Sequence, residues 1–253
     1  MMTLAAGGRD STQVSGNAAR GPWDDVHLPD KWLSLGFALI GGYGDAAGFI
    51  LGKTFTGHVT GNLVLAPISL VAHDWRAFLA HLSAVACFLA GIPLSVLVAR
   101  LSGTSPFWQT LTTVLVIEVI LIVAAYLALT SRAASAVEIF VICLSLALGL
   151  QNGAFRRTGG ISVHTTYLTG MITGLIASET EKLTLHSAFG RATALDPNFK
   201  FLCGIWGVFV LGAAMGAAAA FYFRELGILG AALILFAIVV QHLTAVSRTR
   251  PAS

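Results

Sequence analysis

Charged side chains are scarce in this chain of 253 residues. Only 11% of its residues are Asp, Glu, Lys or Arg, whereas a soluble domain carries roughly 25%. Hydrophobic residues make up 56% and the mean hydropathy is +0.80, so there is too little polar surface to cover a water-soluble globule of this size. This composition argues against a soluble enzyme and predicts a protein whose first partner is the lipid bilayer.

Cysteine is also scarce, and the motifs of common catalytic and metal sites are missing. Cys87, Cys143 and Cys203 each lie within an apolar run without CxxC spacing, so they predict neither a disulfide framework nor a zinc site. The chain contains no HExxH, GxSxG or GxxxxGKS/T sequence, so we expect no metal, no cofactor and no familiar enzymatic activity. The net charge of +3 is spread between apolar segments, which argues against nucleic acid as a partner.

Apolar stretches near the roughly 20 residues needed to cross a bilayer recur along the chain. They predict an all-α, polytopic transmembrane helix bundle with six to eight membrane segments. The candidate segments are 31–52, 57–72, 76–101, 107–130, 135–153, 161–178, 199–223 and 225–246. The second and the sixth are short, polar in their first halves, and rich in Thr, Asn and Gly.

The two short segments resemble each other, which indicates an internal duplication. Thr60-Gly61 corresponds to Thr169-Gly170, and Gly44-Asp45 upstream aligns with Gln151-Asn152 at nearly the same offset. Short polar segments at corresponding places in two repeats point to a transporter-like binding site between them. The predicted divisions are a disordered cytoplasmic tail at 1–30, a first membrane repeat at 31–130, a second at 135–246 and a cytoplasmic tail at 247–253.

The number of crossings depends on whether the short segments traverse the bilayer. If they do, there are eight crossings and the repeats are parallel; if they re-enter, there are six and the repeats are inverted. Of the 15 Lys and Arg residues, ten lie on the side of the N-terminus with eight crossings and eleven with six. Both counts place the two termini in the cytoplasm, and neither decides the crossing number.

Glycine spacing predicts close helix packing. Helices in lipid associate through small residues that let backbones approach, and GxxxG spacing is typical of such contacts. The sets with this spacing are Gly44/Gly48/Gly52, Gly57/Gly61, Gly149/Gly153, Gly170/Gly174 and Gly212/Gly216.

Two carboxyl groups lie at membrane depth. Asp45 shares a helical stripe with Gly48 and Gly52, so we expect it to face packed protein or a cavity. An acidic side chain there costs about 2.5–3.5 kcal/mol on insertion scales, which is why such residues usually mark ion or substrate paths. We interpret Asp45 as a proton-coupling carboxylate and Glu118 as a second proton or cation site. The alternative for Asp45 is a side chain that only hydrogen-bonds a neighbouring helix, and the alternative for Glu118 is a neutral, buried side chain paired with one partner such as a His.

The polar faces of the short segments complete a predicted solute site. If these segments are half-helices that meet near the midplane, their N-terminal amides would present positive partial charge to a polar or anionic solute. The alternative is that their Ser and Thr side chains bond back to carbonyls of their own helix. The residues predicted to bind solute or ion are Asp45, His58, Thr60, Asn62, Gln151, Asn152, Thr165, Thr169 and Glu118.

Several of these motifs together resemble the YoaK family of bacterial inner-membrane proteins. The resemblance covers about residues 32–246. It is carried by Gly42-Tyr43-Gly44-Asp45-Ala46-Ala47-Gly48-Phe49, Gly57-His58-Val59-Thr60-Gly61-Asn62, Gly149-Leu150-Gln151-Asn152-Gly153-Ala154, Arg156-Arg157 and Thr165-Thr166-Tyr167-Leu168-Thr169-Gly170. It implies a multi-pass protein of the inner membrane with about six helices. That family is described as being of unknown function, so the resemblance implies no substrate and no site residue.

The residues themselves predict a secondary transporter or permease for a small polar or anionic solute, coupled to protons through Asp45. Two other classes stay open. One is an integral-membrane enzyme acting on a lipid or quinone, with His58, His164 and the carboxylates as acid and base. The other is an assembly subunit whose glycine stripes pack against another membrane protein. The glycine pattern also leaves a homo-oligomer open.

Overall fold

The chain folds into a bundle of long α-helices. The structure is a computed structural model and describes residues 30–101, 107–154, 157–158, 161–162, 170, 172–174, 176–177, 180 and 197–249. The helices are α1 (Asp30–Gly52), α2 (Val59–Val71), α3 (Trp75–Leu101), α4 (Phe107–Thr130), α5 (Ala136–Ala154), α6 (Pro197–Phe223) and α7 (Leu229–Thr249). A 3-10 turn (Arg224–Ile228) joins α6 to α7. The predicted all-α polytopic class is confirmed.

The predicted segments match the helices closely at six places and differ at two. The segment predicted at 225–246 begins with the 3-10 turn, and its helix continues to Thr249, inside the predicted tail. The segment predicted at 161–178 lies largely outside the described residues. It begins with strand β2 (Ile161–Ser162), which pairs antiparallel with β1 (Arg157–Thr158). The sequence between the two strands is Gly159-Gly160, which favours a two-residue hairpin turn.

Helices α1 and α6 run in the same direction and touch backbone to backbone. A Cβ on Gly212 would lie 2.8 Å from the carbonyl carbon of Leu39, and one on Gly216 would lie 2.8 Å from Cα of Tyr43. The residue numbers of the contacting pairs increase in the same direction along both helices, so the helices are parallel. Carbon atoms normally approach to about 3.5–4.0 Å, so only glycine fits at these two positions.

A second parallel pair is formed by α3 and α5. A Cβ on Gly149 would lie 2.9 Å from the carbonyl carbon of Phe88, and one on Gly153 would lie 2.7 Å from the carbonyl oxygen of Ile92. On the partner helix, Gly91 packs equally closely against the backbone of α5. The pairs Gly149/Gly153 and Gly212/Gly216 therefore make the close contacts that their spacing predicts.

Helices α5 and α7 are antiparallel to α1. Gly44 packs on Leu148 and Gly52 on Val141, so the numbers fall along α5 as they rise along α1. Likewise Gly36 contacts Ile238 near one end of α1, whereas Tyr43, further along, contacts Gly230. Each of these helices thus returns through the bundle in the opposite direction.

Helix α4 runs opposite to α5, and this completes the order of directions. Val114, near the start of α4, packs with Leu150 and Ala154 at the end of α5. Taking α1 as upward, α3 runs down, α4 up, α5 down, α6 up and α7 down. Because α3 starts at the end of the bundle where α1 finishes, the segment that contains α2 leaves that side after α1 and returns to it before α3. Ala154 and Pro197 likewise lie at one common end, the lower one.

Within the described residues, five helical stretches are long and apolar enough to cross a membrane, and the last contains two helices. They are Trp32–Gly52, Trp75–Leu101, Thr110–Thr130, Ala136–Ala154 and Phe199–Gln241. The last has 43 residues and as one helix would be about 65 Å long, twice the roughly 30 Å hydrocarbon core. It reverses at Arg224, where φ is +52°, and Gly227 packs back on Ala219. Six helices therefore have the length and direction of crossings. Helix α2, with 13 residues, is too short to be one.

The outer surface of the bundle is apolar, as expected for contact with lipid. Large hydrophobic side chains such as Leu79, Ile120, Leu127 and Leu233 are more than half exposed. In water such a surface would be unfavourable, whereas lipid tails are as apolar as these side chains. The chain is therefore a membrane protein by composition, helix length and surface.

Candidate functional site

Asp45 lies in the middle of α1, and its carboxylate holds the segment that follows the helix. Its Oδ1 atom accepts the backbone N–H of Thr56 at 3.0 Å and that of Gly57 at 2.5 Å. The N–H of His58, the residue before α2, also stabilises the carboxylate. Consecutive backbone N–H groups at a helix start form a concave anion site. In this protein its own Asp45 fills that site.

The segment between α1 and α2 folds back onto α1 because small residues leave room for it. Gly48 faces Thr56, whose Cγ2 would lie 2.7 Å from a Cβ at that position. The Thr56 hydroxyl donates to the carbonyl of Gly44 at 3.1 Å. Gly48 thus leaves the space that lets this segment pack on α1. Asp45, one turn earlier on the same face of the helix, binds the segment.

Asn62 closes the segment from the α2 side. Its side-chain oxygen accepts the N–H of Phe55 at 3.1 Å, and its nitrogen donates to the Phe55 carbonyl at 2.6 Å. These two bonds satisfy both backbone groups of Phe55 and leave Asn62 only 2% exposed. Asn62, predicted to contact solute, therefore fixes the shape of the segment.

One oxygen of Asp45 has no partner. The side chain is 5% exposed, and among the described residues nothing hydrogen-bonds to its Oδ2 atom. A buried carboxylate oxygen without a donor is unfavourable by about 1–3 kcal/mol or more, so it favours a proton or a bound ligand at that atom. Asp45 thus combines a structural oxygen, Oδ1, with an oxygen that is free for chemistry.

His58 and Thr60, the other predicted residues here, differ in their surroundings. His58 is half-buried, stacks at a tilt on Phe55 with ring centroids 5.5 Å apart, and interacts electrostatically with Asp45. Thr60 lies one residue into α2 and is exposed on its outer side. His58 therefore belongs to the Asp45 cluster, whereas the side chain of Thr60 points away from it.

Gln151 and Asn152 lie on α5 towards the other end of the bundle. The Gln151 side-chain nitrogen donates to the Phe37 carbonyl of α1 at 2.9 Å, and its Oε1 atom has no partner in the described part of the chain. Asn152 donates to the carbonyl of Leu148 in its own helix at 3.0 Å. Phe37 precedes Asp45 by eight residues, about 12 Å along a helix, so the structure does not bring these amides to the Asp45 carboxylate.

Glu118 stands apart from both groups. It lies on α4, is fully buried, and neither carboxyl oxygen has a hydrogen-bond partner among the described residues. Thr165 and Thr169, the last two predicted residues, lie outside the described residues. The described residues contain no group of three His, Cys, Asp or Glu side chains that could hold a metal ion.

Sequence reasoning missed the residues that hold Asp45. Thr56 and Gly57 donate their backbone N–H groups, and a backbone donor leaves no signature in side-chain type. The available signal was the polar run Thr54-Phe55-Thr56-Gly57 just after a glycine-lined helix face. Both Thr54 and Thr56 are 1% exposed, which a solvated loop would not predict.

Comparison with known proteins supports a membrane protein. Residues 33–241 match the family described as "Protein of unknown function (DUF1275)". The chain belongs to the DUF1275 family. It is also 30% identical over 146 residues to the "UPF0700 transmembrane protein YoaK" of Bacillus subtilis (strain 168). That alignment covers 57% of this chain and 64% of the relative, just under two thirds of its length. No solved structure matches.

Membership of the DUF1275 family agrees with the resemblance drawn from the motifs. The matched residues 33–241 contain α1 to α6 apart from short ends, and most of α7. Asp45, Glu118 and Gln151 all fall inside the match. The family description supplies no activity, so any function must be argued from these buried polar groups.

Proposed function

We propose that this protein is a secondary transporter or permease for a small polar solute, coupled to protons through Asp45. The observation that carries the proposal is the buried Oδ2 atom of Asp45, which has no partner among the described residues and lies on the carboxylate that holds the non-helical segment between α1 and α2. Transporters place their binding sites at such breaks, where irregular backbone lines a cavity near the midplane. Protonation of Oδ2 would remove a buried negative charge, and release of that proton would restore the charge.

The helix directions support two related halves in opposite orientation. The first half runs up, down and up through α1, α3 and α4, and the second runs down, up and down through α5, α6 and α7. The close contacts follow the same relation, because α1 pairs in parallel with α6 and α5 pairs in parallel with α3. Inverted repeats of this kind provide alternating access when one half rocks against the other.

Glu118 is the second carboxyl in the proposed proton path. It lies on α4, which packs against α5 and α7, so it is set between the two halves. Its two oxygens are without partners in the described residues, as is Oδ2 of Asp45. A carboxyl with this burial is expected to be protonated for much of a transport cycle and to tune or relay the proton.

The same topology supports cytoplasmic termini in the bacterial inner membrane. The upper side carries Lys53, Arg76, Arg132 and Arg224, and a topology of six crossings assigns the other eleven Lys and Arg residues of the sequence to the side of the termini. Lys53, Arg132 and Arg224 also follow the C-termini of α1, α4 and α6 with positive φ, where a cation stabilises the helix end. The excess of positive charge therefore marks the lower side as cytoplasmic.

An anionic solute is the other class that the sequence leaves open. The N–H groups at the start of α2, which would bind an anion, already bind Asp45. An anion could use them only after displacing the carboxylate. The observations therefore favour a neutral or positively charged solute.

The test is proton flux in proteoliposomes that contain the purified full chain. Pools of neutral, cationic and anionic small metabolites are added in turn. We expect one pool to drive a solute-dependent proton flux in the wild type that is lost in Asp45→Asn. Asp74→Asn is the matched control. Asp74 lies at the exposed N-terminus of α3 and accepts the N–H of Ala77, and Asn caps a helix equally well. Absence of flux with every pool, in folded protein, would overturn the proposal.

A further inference from the structure

The cluster that holds Asp45 contains other oxygens of a kind that suits a positive ion. The Thr56 hydroxyl donates to the Gly44 carbonyl at 3.1 Å, and the N–H of Thr56 bonds Oδ1 of Asp45. Carboxylate, carbonyl and hydroxyl oxygens are the ligands that hard cations prefer. Helix α1 ends seven residues later at Gly52, about 10 Å along the axis, so the carboxylate lies within reach of the upper side.

The charges around Asp45 also favour a positive ligand. His58 is the titratable group beside it, and it belongs to the α2 side of the cluster. On the elements packed against α1, the charged residues lie near helix ends, in the 3-10 turn or in β1: Glu138 of α5, Lys200 of α6, Arg224 and Glu225 of the turn, Arg248 of α7 and Arg157 of β1. No Lys or Arg is buried among the side chains whose exposure the structure describes. The described interior therefore offers Asp45 no fixed cation as a partner.

Other buried atoms of the interior point in the same direction. Among the described residues, the buried polar atoms without a partner are Oδ2 of Asp45, Oε1 of Gln151, Oε1 and Oε2 of Glu118, Oε2 of Glu138, Oγ of Ser145 and Nδ1 of His81. Most of them are carboxyl or amide oxygens, which are acceptors when the carboxyls are ionised. An interior lined with unpaired acceptors is satisfied by ligands that bring positive charge or donate hydrogen bonds.

We propose that Oδ2 of Asp45 binds a small monovalent cation in exchange for a proton. The protonated carboxyl releases its proton as the cation binds, so the total charge at the site is unchanged. Oδ1 keeps its bonds to Thr56 and Gly57 in both states, and the segment between α1 and α2 stays in place. This inference deepens the proposed function and rests on Asp45 being its coupling carboxylate.

The test measures protons released by the purified full chain in detergent, in weakly buffered solution. The probes are sodium, potassium and methylammonium chloride, with N-methylglucamine chloride as the control for ionic strength. We expect at least one probe to release protons to a plateau that is stoichiometric with the protein. Asp45→Asn should release no more than a blank without protein, and Asp74→Asn should behave as wild type. Proton release in Asp45→Asn equal to that of wild type, or no release by any probe, would overturn the inference.

A second readout does not depend on a variant. A cation that binds only the folded state raises the melting temperature with concentration, by linkage. We expect the probe that releases protons to raise the wild-type melting temperature, and to do so more strongly at higher pH, where fewer protons compete. Proton uptake on adding an anion would instead contradict the inference. Neither measurement uses a gradient, so cation binding without flux would reject the transport proposal while retaining the cation site.

Discussion

The backbone N–H of Gly57 donates to Oδ1 of Asp45 at 2.5 Å and so ties the start of α2 to the middle of α1. Twelve residues separate the two partners. The bond explains why a polar residue at membrane depth can coexist with a stable fold. One oxygen satisfies backbone groups that would otherwise be orphaned in the bilayer, and the other has no donor among the described residues.

Replacing Asp45 with Leu should destabilise the protein far more than replacing it with Asn. Leu leaves the N–H groups of Thr56 and Gly57 without an acceptor, and hydrogen bonds to a charged group contribute about 1.5–3 kcal/mol each. Asn retains an oxygen at the Oδ1 position. We expect a clearly lower melting temperature and folded yield for Asp45→Leu, measured in detergent. Equal melting temperatures for the two variants would show that these bonds do not stabilise the segment.

The helix positions were largely predictable from sequence, whereas the path of the chain was not. Apolar runs locate α1 and α3 to α6 within about two residues, because length and hydropathy dominate in lipid. Charge counts could not decide between six and eight crossings, since both assign most cations to one side. The decision depends on long-range contacts such as Gly212 with Leu39 and Gly149 with Phe88. A single sequence carries the glycines but not their partners.

The candidate site was predictable in part, for a related reason. Asp45 and Asn62 stand out because polar side chains are rare in apolar segments, and both prove to be buried. Gln151 was grouped with them by the duplication, yet it bonds Phe37 near the other end of α1. An internal alignment predicts which positions are equivalent, but the packing of the helices decides which residues meet.

Gly212→Ala should destabilise the protein, whereas Gly207→Ala on the same helix should not. The new Cβ at position 212 would overlap the backbone of Leu39, but at position 207 it would meet nothing within 4 Å. Alanine in an exposed helix site is more favourable than glycine by about 1 kcal/mol, so Gly207→Ala should match or exceed wild-type stability. Thermal melts of the two variants in one detergent give the comparison. A lower melting temperature for Gly207→Ala would reveal a contact outside the bundle.

Cysteine labelling should place both ends of the segment that joins α1 to α3, and that contains α2, on one side of the membrane. Lys53→Cys and His73→Cys, in a background with Cys87, Cys143 and Cys203 replaced by Ala, should react with an impermeant maleimide from the same side. Ser131→Cys should label with them, and Arg100→Cys should label from the other side. If Lys53→Cys and His73→Cys label from opposite sides, α2 crosses and the six-crossing topology is wrong.

Tyr43 and Gly230 should show energetic coupling. The Tyr43 hydroxyl donates to the Gly227 carbonyl and also occupies the space beside Gly230, where a Cβ would lie 2.8 Å from Cζ. Tyr43→Phe should cost about 1 kcal/mol through the lost bond. Gly230→Ala should cost more in the wild type than in Tyr43→Phe, because loss of the hydroxyl relieves the overlap. Additive effects in a double-mutant cycle of unfolding free energies would reject this packing.

Glu118 allows stability and function to be separated. It is fully buried with both carboxyl oxygens unpaired in the described residues, so its polar atoms oppose folding. Glu118→Met has similar length without polar oxygens, and we expect it to raise the unfolding free energy by about 1–3 kcal/mol. Glu118→Gln keeps an unpaired polar group and should stay near wild type. Both variants lose the titratable carboxyl, so both should lower the solute-dependent proton flux.

The matched control for this pair is Glu138→Gln. Glu138 pairs with Arg76, whose side chain is 68% exposed, at 2.5 Å near the upper end of the bundle. Exposed ion pairs contribute about 0–1 kcal/mol, so this variant should change neither stability nor flux appreciably. A Glu118→Met variant that is less stable than wild type would mean that the carboxyl has a partner in the folded protein. A stable Glu118→Met variant with full proton flux would show that Glu118 does not take part in proton transfer. Asp45 would then be the carboxyl proposed for the path.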